Sequence, residues 1–282
     1  MKFKLLSLVL LLLLGFSNYT FAQVSDSLQY RVVYDFIYQP DSTDINSKST
    51  EEMWLLSGKK SSLFLSKALA IKDSLPQLTM ADMGSERMEE YTAKTKTNFD
   101  FKILKNREAQ ELYFALKIMD DKLFYPQALT TINWQIQAEK KEISGYMVHK
   151  ATTSFAGRDY IAWFTSEIPI PDGPYKFAGL PGLILALADT REHYIFEFKG
   201  FEKLANPILL ELPPAEHQKS SKKRLLGLKQ RYEEDPISYI NNYVGAGGKK
   251  VTVKLIGEDK KDYLRGRKAV LAKKNNPIEL QK

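Results

Sequence analysis

The chain contains no cysteine among its 282 residues. That absence excludes disulfide bonds, thiolate zinc sites and cysteine nucleophiles. A folded domain must therefore be held together by its apolar core alone. With 44% hydrophobic and 12% aromatic residues, the sequence has enough apolar side chains for one large domain.

Histidine is scarce, and the spacings that mark common catalytic sites are missing. The three histidines, His149, His193 and His217, do not form an HExxH motif, and no GxSxG motif occurs. The glycines before Lys249 and Lys250 lack the spacing of a phosphate-binding loop. We therefore predict no catalytic residue, no metal and no cofactor, and interpret the protein as not being an enzyme.

Long hydrophobic runs are absent except at the N-terminus. Lys2 and Lys4 precede an apolar run of about a dozen residues, and Thr20 and Ala22 occupy the −3 and −1 positions of a signal-peptidase site. The run is too short to cross a bilayer, which needs about 20 residues. We predict a signal peptide over 1–22 and a single domain over 23–282. The mature chain is then expected to be soluble, in the periplasm or at the cell surface, without a transmembrane anchor, and the lack of cysteine predicts that it is not a lipoprotein.

Positive charge is concentrated near the C-terminus. The chain has a formal charge of +7, and residues 217–282 hold 17 Lys and Arg against 7 Asp and Glu. An exported chain without a nucleic-acid-binding motif is not expected to bind nucleic acid. The basic segment is either a solvated helical surface or, through Lys222, Lys223 and Arg224, a surface that docks other envelope proteins.

Alternating apolar residues indicate a sheet. Tyr30, Val32, Tyr34, Phe36 and Tyr38 predict a strand with one buried face, and the short turns that follow favour an antiparallel meander. Phe99, Phe101 and Ile103 predict a later strand, and Lys102 and Lys105 are assigned to its polar side. Further strands are predicted over residues 143–155, 193–201 and 251–256. The predicted fold is mainly antiparallel β (α+β), with a curved sheet that can take the form of a half-barrel. Its β-rich part covers 28–212, and a helical, basic part covers 213–282.

A short motif gives the sequence a family resemblance. Gly179–Ile184 reads GLPGLI. Further matches include Trp134, Trp163, Tyr175, the turn at Gly157 and Arg158, and the closing residues 276–280. The chain resembles the GLPGLI family of exported Bacteroidetes proteins over nearly its whole mature length. That resemblance implies export and domain extent, but the family has no established activity.

The segment around this motif is rich in proline and glycine, which favours one fixed backbone path. It is either a rigid rim for a ligand or a structural corner that seals one end of the sheet. The residues predicted to line a ligand-binding face are Trp54, Trp134, Trp163, Phe177, Gly179, Leu180, Pro181 and Gly182; ordinary core packing is the alternative for the aromatic ones.

Polar candidates near the motif are Arg158, Asp159 and Glu167. We expect Arg158 to bind a carboxylate or backbone carbonyl groups at its turn, since its guanidinium offers five donors in a fixed geometry. The leading hypothesis is non-catalytic binding of a lipid or an apolar peptide beside the motif. The alternative is a protein–protein interaction module that uses the basic C-terminal helices.

Overall fold

The computed structural model describes residues 24–74, 85–129, 132–244, 252–253 and 258–280. The predicted signal peptide lies outside these residues, as does most of a short strand predicted over 251–256. Within the described residues, the chain forms one large sheet, four helices packed on or beside it and a further helix near the C-terminus.

The strands run from the first described residue to position 219. Their bounds are β1 Val24–Tyr38, β2 Ser49–Ser57, β3 Ser61–Ser66, β4 Phe101–Asn106, β5 Glu111–Ile118, β6 Asp121–Ala128, β7 Gln135–Ile143, β8 Tyr146–Phe155, β9 Arg158–Thr165, β10 Leu183–Asp189, β11 Tyr194–Leu212 and β12 Gln218–Lys219.

The helices fall into two groups, one between β3 and β4 and the other after β12. Their bounds are α1 Lys67–Ser74, α2 Ser85–Thr95, α3 Lys222–Glu234, α4 Pro236–Asn242 and α5 Glu258–Ala272, and a short 3-10 helix covers Ile45–Ser47. α3 begins at the N-cap Ser221, whose hydroxyl accepts a hydrogen bond from the Arg224 amide.

All the strands belong to one open sheet, in the order β12-β6-β5-β4-β3-β2-β1-β11-β10-β9-β8-β7. The pairing is antiparallel except between β12 and β6. This confirms the predicted mainly antiparallel β fold. The sheet contains two meanders rather than one, because β1 pairs with β11 and the chain crosses from one edge to the other between β6 and β7.

Two-residue turns set the hairpins at the β7 edge of the sheet. Gly145 and Gly157 both have φ of 85°, and the residues before them, Ser144 and Ala156, also have positive φ. Two successive residues of this kind form the turn that matches the twist of paired strands. The stretch 143–155, interpreted from the sequence as one strand, is therefore broken at Ser144 and Gly145 into β7 and β8.

Each face of the sheet carries its own apolar cluster. Val32, Tyr34 and Phe36 of β1 belong to the larger cluster, whose face we call the loop face because the proline- and glycine-rich loop covers it. The smaller cluster lies on the opposite face, includes Leu28 and Leu56, and is covered by α1. The alternation in β1 thus places Tyr34, Phe36 and Tyr38 on the loop face.

Candidate functional site

Residues 166–182, between β9 and β10, form the Pro–Gly loop, which packs into the loop face. Phe177 is completely buried and Leu180 is 1% exposed. The Phe177 ring centre lies 4.7 Å from that of Tyr160 and 5.3 Å from that of Phe155. The Trp134 indole nitrogen donates to the Ala178 carbonyl oxygen over 2.9 Å. This part of the loop is therefore packed into the core of the protein.

A buried ion cluster anchors the same loop. Asp172 is fully buried, and its two carboxylate oxygens accept from Lys105 Nζ at 2.6 Å and from an Arg107 nitrogen at 2.8 Å. Lys105 Nζ also donates to the carbonyl oxygens of Gly173 and Phe177. Burial alone would raise the pKa of Asp172, but attraction to Lys105 and Arg107 outweighs it and lowers that pKa. Lys105 is therefore an inward anchor, and its assignment to the polar side of the strand is wrong.

The three tryptophans do not converge. Trp54 lies on the face opposite the loop, with the Arg31 guanidinium 4.2 Å from its ring centre. Trp163 is half-buried under the Lys141 ammonium, also at 4.2 Å, whereas Trp134 contacts the loop. Within the motif, Gly179 and Pro181 are exposed and Gly182 is buried. A ligand-binding role for these residues stays a prediction, and the side chains do not form one shared surface.

The polar candidates also point in different directions. Asp159 is exposed and accepts from the Ser154 hydroxyl, and Glu167 is exposed and accepts from the Met147 amide. Arg158 is 6% exposed and pairs with Asp189 over 3.0 Å. Among the described residues, no hydrogen bond joins a histidine to Arg158, Asp159 or Glu167, and the three side chains do not converge.

Arg158 instead holds residues 273–280, which we call the C-terminal segment. Its guanidinium donates to the Asn276 side-chain oxygen at 2.6 Å and to the carbonyl oxygens of Pro277 at 2.7 Å and Ile278 at 3.2 Å. The guanidinium thus binds a carboxylate on one side and backbone carbonyl groups on the other. The segment is thereby fixed across the loop face next to α3.

Between the sheet, α3 and the C-terminal segment lies a cavity of about 440 Å³, which we call the aromatic cavity. Leu226 of α3 and Ile278 of the C-terminal segment bound it on the side away from the sheet. Both are half-buried, as are Phe99 and Phe101. The sheet side and the Pro–Gly loop supply the rings of Tyr38, Phe99, Phe101, Phe114, Tyr125 and Tyr175.

Most of the charged groups around this cavity are paired with one another. Glu279 accepts from the Tyr175 hydroxyl at 2.6 Å and from Lys176 Nζ at 2.5 Å. Lys229 pairs with Asp100 at 3.1 Å and with Glu233 at 3.2 Å. The walls therefore offer aromatic surface, and the charges nearby largely satisfy each other.

Lys176 is the most deeply buried of these charges, at 1% exposure. Its ammonium lies 5.5 to 5.9 Å from the ring centres of Phe114, Tyr125 and Tyr175, which is cation–π range. Burial lowers the pKa of Lys176, although Glu279 opposes that change. Burial would raise the pKa of Glu279, yet Lys176 and the Tyr175 hydrogen bond bring it below its usual range.

Sequence reasoning did not identify this cavity. Phe99 and Phe101 were recognised only as strand residues, Leu226 only as part of a helix, and Tyr175 and Glu279 only as matches to a family pattern. The one usable signal was that Tyr175 and Glu279 both belong to segments of that pattern, far apart in the chain. They meet in the structure through a hydrogen bond.

Neither a metal site nor a spanning helix is found in the part of the chain that the structure describes. No three His, Asp or Glu side chains there are grouped closely enough to hold a metal ion. None of the described helices is both long and apolar enough to cross a membrane.

Comparison with known proteins gives a partial family match. A family model described as a protein of unknown function (Porph_ging) matches residues 155–186, which include β9, the Pro–Gly loop and the GLPGLI sequence. This agrees with a family of Bacteroidetes type, while the likeness to the GLPGLI family remains a resemblance. No curated protein matches the chain.

Two solved structures of PNGF-II, in space groups P21 and C2, share the fold. Each aligns with a TM-score of 0.52 at 13% sequence identity and covers 71% of this chain. The aligned part is 32% of the PNGF-II chain, so this chain spans about a third of that protein's length. At this identity the likeness concerns the fold alone.

Proposed function

We propose that the protein is exported and binds an apolar ligand, a lipid or an apolar peptide, in the aromatic cavity without catalysing a reaction. The sequence pattern of residues 1–22 supports export. The observation that supports binding is a cavity of about 440 Å³ walled by aromatic rings. It replaces the surface around Leu180 as the proposed site, because Leu180 is packed in the core.

The size and the surface of the cavity suit a small apolar molecule. Ligand sites in proteins typically enclose about 300–1,000 Å³ and are lined by apolar and aromatic side chains. Phe99, Phe101, Leu226 and Ile278 keep exposed apolar surface there. A ligand that covers this surface gains about 25 cal/mol for each Å² removed from water.

The surrounding chemistry favours binding over catalysis. Glu279, Lys176, Lys229 and Asp100 are engaged in ion pairs, so none is a free base or nucleophile aimed at the cavity. An acyl chain or an apolar peptide side chain needs no further polar partner from these walls. The ligand would be held by contact with the rings.

Replacing Leu226 with tryptophan tests the site by filling it. Leu226→Trp adds a bulky ring from α3 without burying a charge, and we expect it to weaken binding of a fluorescent acyl-chain probe at least about tenfold. Native mass spectrometry of protein from its own host should show a co-purified apolar ligand in the unchanged chain and little in the variant.

Ile208→Trp is the matched control, since Ile208 is 44% exposed on β11 and does not line the cavity. It should bind the probe as the unchanged chain does. Equal binding by Leu226→Trp and the unchanged chain, with both folded, would contradict the proposal. So would a ligand-free protein from its host that also fails to take up the probe.

A further inference from the structure

Two C-terminal elements carry a positive excess as large as the net charge of the whole chain. Residues 222–234, which are α3, and residues 258–274, which contain α5, together hold 12 Lys and Arg against 5 Asp and Glu. The formal charge of the chain is +7. The rest of the sequence therefore has almost no net charge, and the net positive charge of the chain comes from these two elements.

Cations on the outward side of α3 lack the carboxylate partners that two lysines of the sheet have. On the sheet, Lys150 pairs with Glu139 and Lys199 pairs with Asp35. Lys223, Arg224 and Arg231 are exposed. Within the described part of the chain, their side chains form neither an ion pair nor a hydrogen bond. They line a shallow groove beside Gly227, together with Ser221, Gln230 and Glu234, and the Glu234 carboxylate accepts a hydrogen bond from Gln230.

α5, which packs beside α3, carries exposed apolar side chains of its own. Tyr263 is 41% exposed and Val270 is 58% exposed, and seven residues place them on one side of the helix. Lys261 and Lys268 are exposed close to them in sequence. Arg267 on the inner side donates to the Glu233 carbonyl oxygen, which attaches α5 to α3.

We propose that α3 and α5 form a surface that docks the protein on an anionic phospholipid membrane. Phosphate groups complement the unpaired arginines, since a guanidinium matches the geometry of phosphate oxygens. A basic helix with exposed apolar residues lies at the interface between lipid headgroups and acyl chains. A membrane would engage both kinds of side chain, whereas a soluble acidic protein would need only the cations.

The same helix connects this surface to the aromatic cavity. Leu226 and Lys229 of α3 line the cavity, and Lys223, Arg224 and Arg231 lie on its outward side. Docking therefore brings the helix that bounds the cavity to the lipid surface. This link rests on the proposed function, but the docking itself does not.

Vesicle co-sedimentation of the full chain tests the docking. We expect binding to phosphatidylcholine vesicles that contain phosphatidylglycerol, loss of binding as salt is raised, and little binding to phosphatidylcholine alone. Each Lys or Arg near an anionic surface contributes roughly fivefold to partitioning, so Lys223→Glu with Arg224→Glu should reduce it at least about 30-fold. Tyr263→Ser with Val270→Ser should also reduce it.

Lys150→Glu with Lys199→Glu changes the charge equally on the sheet and should bind vesicles much more strongly than the α3 variant. Equal loss in the two double variants would overturn the proposal, because it would reflect net charge alone. Displacement by inorganic phosphate beyond that by sodium chloride of equal ionic strength would also overturn it, since it would indicate a discrete anion site. If the chain does not bind these vesicles at low salt but binds an envelope protein, the proposal is wrong and the surface docks a protein instead.

The two proposals fail separately. Leu226→Trp should still bind anionic vesicles, and Lys223→Glu with Arg224→Glu should still bind the acyl-chain probe in solution. If a variant loses vesicle binding but still binds the probe, the result bears only on docking through the α3 and α5 surface. Loss of probe binding with vesicle binding intact concerns only the cavity.

Discussion

The buried guanidinium of Arg158 is one of several groups that attach the C-terminal segment to the sheet, together with the Tyr194 hydroxyl and backbone hydrogen bonds. It is 3% exposed at its side chain and pairs with Asp189, which is 2% exposed. Arg158→Met would leave the Asp189 carboxylate buried without its cation, which typically costs about 3–5 kcal/mol. We expect a loss of this size in the free energy of unfolding, measured by urea denaturation.

Arg265→Met is the matched control for Arg158→Met. Arg265 pairs with Asp262 at the surface, with both side chains more than half exposed. Exposed pairs contribute about 0–1 kcal/mol, so the control should unfold almost like the unchanged chain. Similar losses in the two variants would show that Arg158 does not fasten the segment.

The roles of single residues were predictable where the chemistry is local. The turn at Gly157 and the donor geometry of arginine led to the expectation that Arg158 binds a carboxylate or carbonyl groups. Lys105 and Lys176 could not be recognised as buried, since a lysine is placed inside only by its partners. Those partners, Asp172 and Glu279, lie far along the chain.

At the scale of an element, the Pro–Gly loop depends on one close approach of its backbone. Gly182 has φ of 145°, and a Cβ atom there would lie 1.9 Å from the Thr165 carbonyl oxygen. Gly182→Ala should therefore cost about 3 kcal/mol or more in the free energy of unfolding, because the backbone of β9 or of the loop must move. Thermal or urea unfolding measures this.

Gly179→Ala provides the comparison within the same motif. Gly179 has φ of 92°, but a Cβ atom there would meet nothing within 4 Å. Only the backbone conformation penalises alanine, at about 1–2 kcal/mol. If Gly179→Ala were the more damaging variant, the close approach at Gly182 would not be what requires glycine.

Elements with strong alternation were predictable, and those defined by distant partners were not. β1 and the hairpin at Gly157 follow the sequence pattern closely. β6 contains Pro126 and was missed, and β11 was expected to end near Phe201. It continues to Leu212 because residues 208–212 pair with the start of β1, which no local pattern indicates.

At the scale of the whole molecule, two carboxylates join separate segments. Asp172 joins the Pro–Gly loop to β4, and Glu279 joins the C-terminal segment to that loop. The pKa values of Asp172 and Glu279 are both lowered in the folded chain. Groups with lowered pKa values stabilise the fold above their ordinary values, about 4, and this contribution is lost as the pH falls through the folded values. The protein should therefore lose stability progressively as the pH falls below about 5.

Asp172→Asn identifies the part of this loss that Asp172 causes. The variant should be less stable than the unchanged chain at neutral pH, because Lys105 and Arg107 lose their shared anion. Its free energy of unfolding should then change less with acid. Equal slopes against pH for the two chains would exclude Asp172 as a source of acid sensitivity.

The fold class was predictable from the whole sequence, but the cavity was not. Alternation and short connections indicate an antiparallel sheet without any knowledge of strand order. The aromatic cavity combines residues of β1, β4, β5, β6, the Pro–Gly loop, α3 and the C-terminal segment. Only the folded topology brings these segments together, so no spacing in the sequence marks the site.

The pairing of β1 with β11 also determines when the sheet can be completed. Val24 pairs with Leu212 and Tyr38 pairs with Tyr194. The first described strand therefore cannot complete its pairing until β11, one of the last strands, is available. Contacts so distant in sequence slow folding, because a long chain must close before they form. A nascent or truncated chain that ends before Tyr194 presents the unpaired edge of β1 at what becomes the middle of its sheet, open to a strand from another molecule.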